Sequence, residues 1–388
     1  MGVRRRIGWL LLFILFVYLI SESVISILIP GPVDAATATH VRVLCLEPPT
    51  RLELQGGSLR MQPDLGLDLG NKAVIRWDAG RHLISVSGKP EMEVEGPIHL
   101  TWSGIASWVD GKGRPRRDIG SMTLTDIDGA QKLWVSVAIE DYLSGVLARE
   151  MGKSFPLEAL KAQAVAARSF ALNAVERRRR RGSPWDLRGG QSDMAYRGID
   201  SSARILEALR ETKGQVLAYE DKILRAYFSA TCGGTTRDGH ERFQDVPEAP
   251  FRSVRCLGCE GFGFYRWTHK VERQTIEKVL PGLGPGLLTW KVLTRSARGD
   301  WKLFEVRNQP GATRKRDMTS LRGRLGLKST WITGVTRDGN DYRFRGNGHG
   351  HGVGLCQNGA KGYARAGWNY REILDLYYNG TPLRKVGD

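Results

Sequence analysis

From residue 40 to about 134, apolar and polar positions alternate in short runs: 40–45, 51–54, 73–77, 82–86 and 98–102. Each run is rich in β-branched or aromatic residues and is cut from the next by Gly, Pro or Asp, which predicts strands in a β-rich N-terminal portion. The period then changes. Between 139 and 151, Leu143, Val146, Leu147 and Glu150 recur at helical spacing. Leu157, Leu160, Ala164, Ala167, Ala171 and Ala174 follow at steps of three and four. They predict a second helix, with Ser154 as its cap and Pro156 in its first turn. So many alanines admit a close neighbour, which places this helix at the centre of the fold. It should end in the five arginines 177–181 and Gly182, cations at the negative end of the helix dipole before a stop residue. A solvated helix end is preferred there over a contact with an anionic polymer.

Residues 203–212 read as a further helix, 215–219 and 224–230 as strands, and 232–270 as loop. Strands return at 331–335 and 342–345, and a last helix covers 370–377. No internal repeat and no low-complexity linker follows residue 40. The pattern therefore predicts an α+β fold, β-rich and mixed, with a central pair of helices and one interlocked unit over 39–388. Ahead of it, Arg4, Arg5 and Arg6 precede apolar runs at 7–20 and 24–29, then Pro30, Pro32 and Ala35-Ala36-Thr37-Ala38. A positive start, an apolar stretch and a small-residue exit predict that 1–38 is a signal peptide or an N-terminal membrane anchor. In either case the body lies outside the cytoplasm, in the periplasm or at the cell-wall face, with the three arginines inside.

Charge narrows the partners. The 388 residues carry 58 Lys+Arg against 41 Asp+Glu, a net charge of +17. That excess favours a polyanion, and the extracytoplasmic expectation turns it away from nucleic acid toward cell-wall polymer or anionic lipid.

Three groups of residues could carry chemistry. Glu150 closes the first predicted helix on its apolar face, where partial desolvation would raise its pKa toward the general-acid range; an ion pair with Arg149 or Arg168 is the competing reading. Cys232, then Cys256-x-x-Cys259, with His240 and His269 in range, have metal-knuckle spacing, with disulfide bonding as the alternative. The favoured reading is one closed structural zinc site on Cys232, Cys256, Cys259 and a histidine. Gly348-His349-Gly350-His351-Gly352-Val353-Gly354, followed by Gln357, lets backbone approach a ligand closely. The two histidines border a cleft, ligate a metal, or sit in a tight turn; no His-Glu-x-x-His motif accompanies them.

Together these stretches resemble the stage II sporulation protein D, or LytB amidase-enhancer, family. The resemblance rests on Asp141-Tyr-Leu-Ser-Gly-Val-Leu-Ala-Arg-Glu-Met151, on Ala159-Leu-Lys-Ala-Gln-Ala-Val-Ala-Ala-Arg168, and on Tyr196-Arg-Gly198. It continues through Thr231-Cys-Gly-Gly-Thr235, Leu325-Gly-Leu-Lys-Ser-Thr330, Gly350-His-Gly-Val-Gly-Leu-Cys-Gln357 and Tyr377-Tyr-Asn-Gly-Thr381, in family order over about 40–382. It implies a peptidoglycan lytic transglycosylase that cuts peptide-stripped glycan strands and forms 1,6-anhydro-N-acetylmuramic acid, with Glu150 on the central helix pair as the catalytic acid and base. It also implies Arg168, Ser169, Tyr196, His351 and Gln357 as substrate-binding residues. Some members bind zinc in the segment matching 232–259, which gives Cys232, Cys256, Cys259 and His240 as ligands, with His269 as a substitute, in a site that supports the fold. Glycan strands and a cell-wall amidase are the implied partners; a non-catalytic amidase activator is the alternative role. Met194 and Phe264 depart from the family pattern, and Phe264 stands where relatives often carry a ligand histidine.

Overall fold

A computed structural model describes residues 40–62, 67–78, 80–190, 192–244 and 246–386; the expected signal or anchor segment lies outside the described residues. Among the described residues no helix is long and apolar enough to cross a membrane.

The alternating runs become one ten-stranded sheet. Its strands are β1 (His40–Leu44), β2 (Arg51–Gln62), β3 (Leu67–Asp78), β4 (Arg81–Val86), β5 (Met92–Glu95), β6 (Ile98–Val109), β7 (Pro115–Asp118), β8 (Ser121–Ile127), β9 (Ala130–Ala138) and β10 (Leu187–Arg188). The order is β10-β1-β9-β8-β6-β2-β3-β4-β5, with β7 on β6. β10 runs parallel to β1, and β1 antiparallel to β9. Alternation puts one face inside: Val41, Val43, Leu52, Leu54, Ile75, Ile84, Ile98 and Leu100 are all buried.

β9 runs directly into α1 (Ile139–Glu150), whose first turn holds Glu140 and Asp141 at the positive end of the dipole. Gly145 lets the loop around 198 cross this helix: a Cβ there would stand 2.0 Å from the Gly198 carbonyl oxygen. α2 (Leu157–Arg179) is buried along most of its length, as its alanine stripe predicts. The expected Ser154 cap does not form. Pro156 is the N-cap, in an extended conformation, and the helix starts at Leu157. At the other end Arg178 pairs with Asp193, Arg179 with Asp186 and Arg180 with Glu176, so most of the arginine run is tied into the fold.

α3 (Ala203–Glu211), β11 (Gln215–Tyr219), β12 (Lys222–Ile223) and β13 (Phe228–Ser229) follow; of the strand expected at 224–230 only the last part forms. A lobe of two three-stranded sheets comes next: β14 (Arg266–Val271), α4 (Arg273–Val279), β15 (Leu288–Arg295), β16 (Trp301–Asn308), β17 (Thr313–Asp317), α5 (Met318–Arg322), β18 (Ile332–Asp338) and β19 (Asp341–Asn347). It buries its own core of Trp267, Ile276, Phe304, Met318, Ile332 and Phe344. The chain then returns through β20 (Leu355–Cys356), α6 (Gln357–Arg365), α7 (Tyr370–Tyr377) and β21 (Leu383–Lys385) to pack on α2. The fold is α+β and β-rich, with two hydrophobic cores in one interleaved chain.

Three residues expected at substrate hold the fold instead. Arg168 is 1% exposed; its Nε and Nη2 grip Glu140 at 2.8 and 2.7 Å, and Nη1 donates to the Gln215 carbonyl. Ser169 donates to the Val165 carbonyl and accepts from Leu217 N–H. Tyr196 is fully buried against Tyr142, and its hydroxyl donates to Asp118 Oδ1 at 2.7 Å. Asp118 also accepts from Trp108 Nε1 at 2.8 Å, and Arg116 lies over the Trp108 and Tyr196 rings. Arg168 and Ser169 lie on the inward face of α2 and Tyr196 on a loop packed beneath α1, placements that identity alone does not reveal. Tyr196→Phe removes one donor from a buried carboxylate. Chemical denaturation should show a loss of about 1.5–3 kcal/mol, and an unchanged midpoint would refute the structural role.

Candidate functional site

Glu150 is the last residue of α1, and its carboxylate turns inward. Oε1 accepts the Ala195 N–H at 2.8 Å, and the Gln357 side chain donates a further hydrogen bond to the carboxylate. Gln357 Nε2 also stands 3.5 Å from Gln163 Oε1 on α2. Burial pushes the Glu150 pKa above the ordinary carboxylate value, and these two donors offset only part of the rise. Among the described residues no cation pairs with it: Arg168 is engaged with Glu140, and Arg149 is exposed.

The carboxylate lines a cleft of about 880 Å³. Its walls come from both cores: Arg225, Tyr227, Arg237, Arg242 and Phe243 from the main body, Thr319, Ser320 and Arg322 to Arg324 from the lobe, and His349 to His351 from the glycine-rich turn. Tyr227 and Phe243 are stacked, with centroids 3.9 Å apart and planes within 7°. The turn needs its glycines. Gly348, Gly350, Gly352 and Gly354 all have positive φ, and a Cβ on Gly354 would stand 2.0 Å from the Tyr227 carbonyl oxygen.

The two histidines differ. His351 Nδ1 accepts the Val353 N–H at 3.1 Å, its ring also bonds the Phe228 backbone, and Tyr227 and Phe243 pack against it edge to face. Burial, with Arg242, Arg237 and Arg322 nearby, pushes its pKa down to about 3. It is a neutral wall with both nitrogens engaged, and it offers no ligand to a metal. His349 lies against Phe264, and burial with Lys328 and Arg322 nearby lowers its pKa as well.

The cysteines assemble, but not with a histidine. Sγ atoms of Cys232, Cys256, Cys259 and Cys356 all lie within 4.8 Å of one another, all buried. A tetrahedral ion with metal–sulfur bonds near 2.3 Å needs sulfurs about 3.8 Å apart, so the set fits a thiophilic ion such as zinc. Hydrogen bonds from Cys232 and Cys256 hold the Cys259 thiol well below its ordinary range. Cys356 Sγ accepts N–H bonds from Cys232 and Gly359, both at 3.2 Å, the second from the first turn of α6. The expected ligand His240 is exposed on a 3-10 turn, Gly239–Glu241, and His269 belongs to β14; neither joins the cluster. Cys356 takes the fourth corner. It stood inside the Gly-rich motif beside Gln357, the one available signal, whereas the Ala195 N–H had none because every residue supplies one. Cys45, the fifth cysteine, is buried elsewhere.

The Stage II sporulation protein family matches residues 128–219, which include α1 and α2. An uncharacterized protein of Brachyspira hyodysenteriae is 32% identical over 249 residues, 63% of this chain and 66% of its own. The amidase enhancer of Bacillus subtilis is 26% identical over 292 residues, covering 62% of this chain and 40% of that protein. Stage II sporulation protein D of Bacillus amyloliquefaciens is 29% identical over 270 residues, 65% of this chain and 75% of that protein. The chain thus spans about two-fifths to three-quarters of the length of these relatives. The helix pair that presents Glu150 falls within residues 128–219, the segment that matches the Stage II sporulation protein family.

Proposed function

We propose that the protein is a peptidoglycan lytic transglycosylase that acts on glycan strands outside the cytoplasm. The observation that carries this reading is Glu150: a buried carboxyl with a raised pKa, no cationic partner among the described residues, and a place on the wall of a cleft sized for a few sugar rings. A carboxyl whose pKa is raised holds its proton more firmly than an ordinary glutamate and can donate it to the glycosidic oxygen between N-acetylmuramic acid and N-acetylglucosamine as that bond breaks. The muramic C6 hydroxyl then closes on C1, its oxygen forming the 1,6-anhydro bond, and its proton passes to the Glu150 carboxylate. A hydrolase needs a second carboxylate to supply or activate its nucleophile. Here the nucleophile is tethered to the sugar, so one carboxyl completes the cycle. Ala195 N–H and Gln357 aim the carboxyl and receive its charge after the first transfer.

The name of one relative, amidase enhancer, favours a second reading as a glycan-binding activator of a cell-wall amidase. A zinc amidase built on His349 and His351 has little support, because both nitrogens of His351 are already engaged. Glu150→Gln separates the first two. It should lower release of anhydro-disaccharides from purified glycan by about 10²–10⁴-fold. A variant as active as the native protein, or a native protein that releases none, would sink the transglycosylase reading.

The raised pKa has a stability consequence of definite sign. A carboxyl easier to protonate in the fold contributes stability that is present below the ordinary glutamate value and lost as pH rises through the folded value. Glu150→Gln should therefore be more stable than the native protein at pH 7, with the gap closing as pH falls below about 4. A gap independent of pH would show that the carboxylate is solvated.

The four thiols are assigned a structural zinc ion, which joins the loops at 232 and 256–259 to the start of α6. Metal analysis should find one zinc per chain. Chelation or Cys356→Ser should lower Tm by several degrees, and a metal-free protein with unchanged Tm would overturn the assignment.

A further inference from the structure

We propose that Arg225 and Arg242 form a carboxylate-binding subsite in the cleft, and that the group they hold is the lactyl carboxylate of an N-acetylmuramic acid carrying no stem peptide. This rests on the glycan-cleaving reading above and adds residues that select the substrate.

Both guanidinium groups lie against the stacked ring pair: Arg225 is 5.1 Å from the centroids of Tyr227 and Phe170, and Arg242 is 5.0 Å from that of Phe243. Neither forms an ion pair among the described residues. Arg225 Nε is buried and has no hydrogen-bond partner. The nearest acid in the wall, Asp193, is already held by Arg178 at 2.8 and 3.1 Å and by the Arg188 N–H. Arg237 in the same wall is neutralised by Asp300. Among the described residues Arg225 and Arg242 thus face the cleft unpaired, as Arg322 and Arg324 of the lobe also do, beside a histidine that stays neutral, and the buried Nε of Arg225 is costly until an anion supplies an acceptor.

A glycan strand is otherwise neutral, its hydroxyl and acetamido groups carrying no charge. The lactyl carboxylate is its one recurring anion, and a stem peptide consumes that charge by forming an amide. Planar guanidinium groups over aromatic faces suit a planar carboxylate. A peptide-bearing strand offers only the neutral amide and leaves the Arg225 donor unmatched. Selection against it thus follows from charge and hydrogen-bond count, with no steric gate required.

Binding without turnover tests this. In a Glu150→Gln protein, affinity is measured for peptide-free glycan and for the same glycan with its carboxylates converted to methylamides. The expected result is at least tenfold weaker binding of the methylamide glycan, with the difference abolished by adding Arg225→Gln or Arg242→Gln and partly kept by Arg225→Lys. Should one glutamine variant fail to fold, the other and the lysine variant still decide the assignment. Equal affinity for the two glycans, with the native protein still cutting the unmodified one, overturns the subsite alone. Binding to neither glycan overturns the subsite and the glycan-cleaving function together.

Discussion

The withdrawal of one carboxyl from water, with no cation among the described residues to compensate it, sets the terms for the rest of the molecule. A solvated or salt-bridged glutamate would titrate at or below the ordinary carboxylate value; a buried one with no hydrogen bonds would be too costly to keep. Glu150 sits between these limits because two donors reach it. Each donor is one residue from a deeply fixed side chain. Ala195 precedes Tyr196, which is anchored on Asp118, and Gln357 follows Cys356, a corner of the thiol cluster. Two structural devices far apart in sequence thereby set the two sides of one carboxyl.

This arrangement explains what could be read in advance. Periodicity found the strands at 73–77 and 82–86, the alanine-striped helix and the helix Tyr370–Tyr377, because burial on one face imposes its spacing locally. It placed Glu150 near the end of a helix, while the choice of that residue as a catalytic candidate came from the family resemblance. It did not reveal which motif residues face the cleft. Arg168, Ser169 and Tyr196 lie in the same motifs as Glu150, yet their partners, Glu140, Leu217 and Asp118, are fixed only by tertiary packing. The cluster's fourth corner was hidden for a related reason: Cys-x-x-Cys is a local signal, whereas Cys356 meets it only after the whole lobe has folded back. The lobe's separate core was likewise invisible, since no linker marks its edges.

Charge around the glycine-rich turn follows from the same economy. A protonated His351 would add a cation beside Arg237, Arg242 and Arg322. The fold avoids this by burying the ring and giving both nitrogens backbone partners, so the turn contributes shape and leaves the positive field to the arginines. Alternate glycines make such a turn possible, because successive positive φ values bring it close to Tyr227 with no Cβ in the way.

The lobe supplies part of the cleft wall, so its placement matters as much as that of the helix pair. Asp300 secures it. This lobe carboxylate is 1% exposed and meets Arg237 of the main body, Arg298 of its own lobe and the Thr330 hydroxyl. The two guanidinium groups hold it well below the usual carboxylate range. Arg298 goes on to donate to the Thr235 carbonyl at 2.9 Å and to the Cys232 carbonyl at 3.3 Å, which carries the connection to the thiol cluster. Apolar contact between lobe and body could be made in many registers at similar cost. Buried charges cannot, because any slip leaves one of them unpaired. An ionic joint therefore fixes the lobe at one setting, and the wall that faces Glu150 is built to that setting.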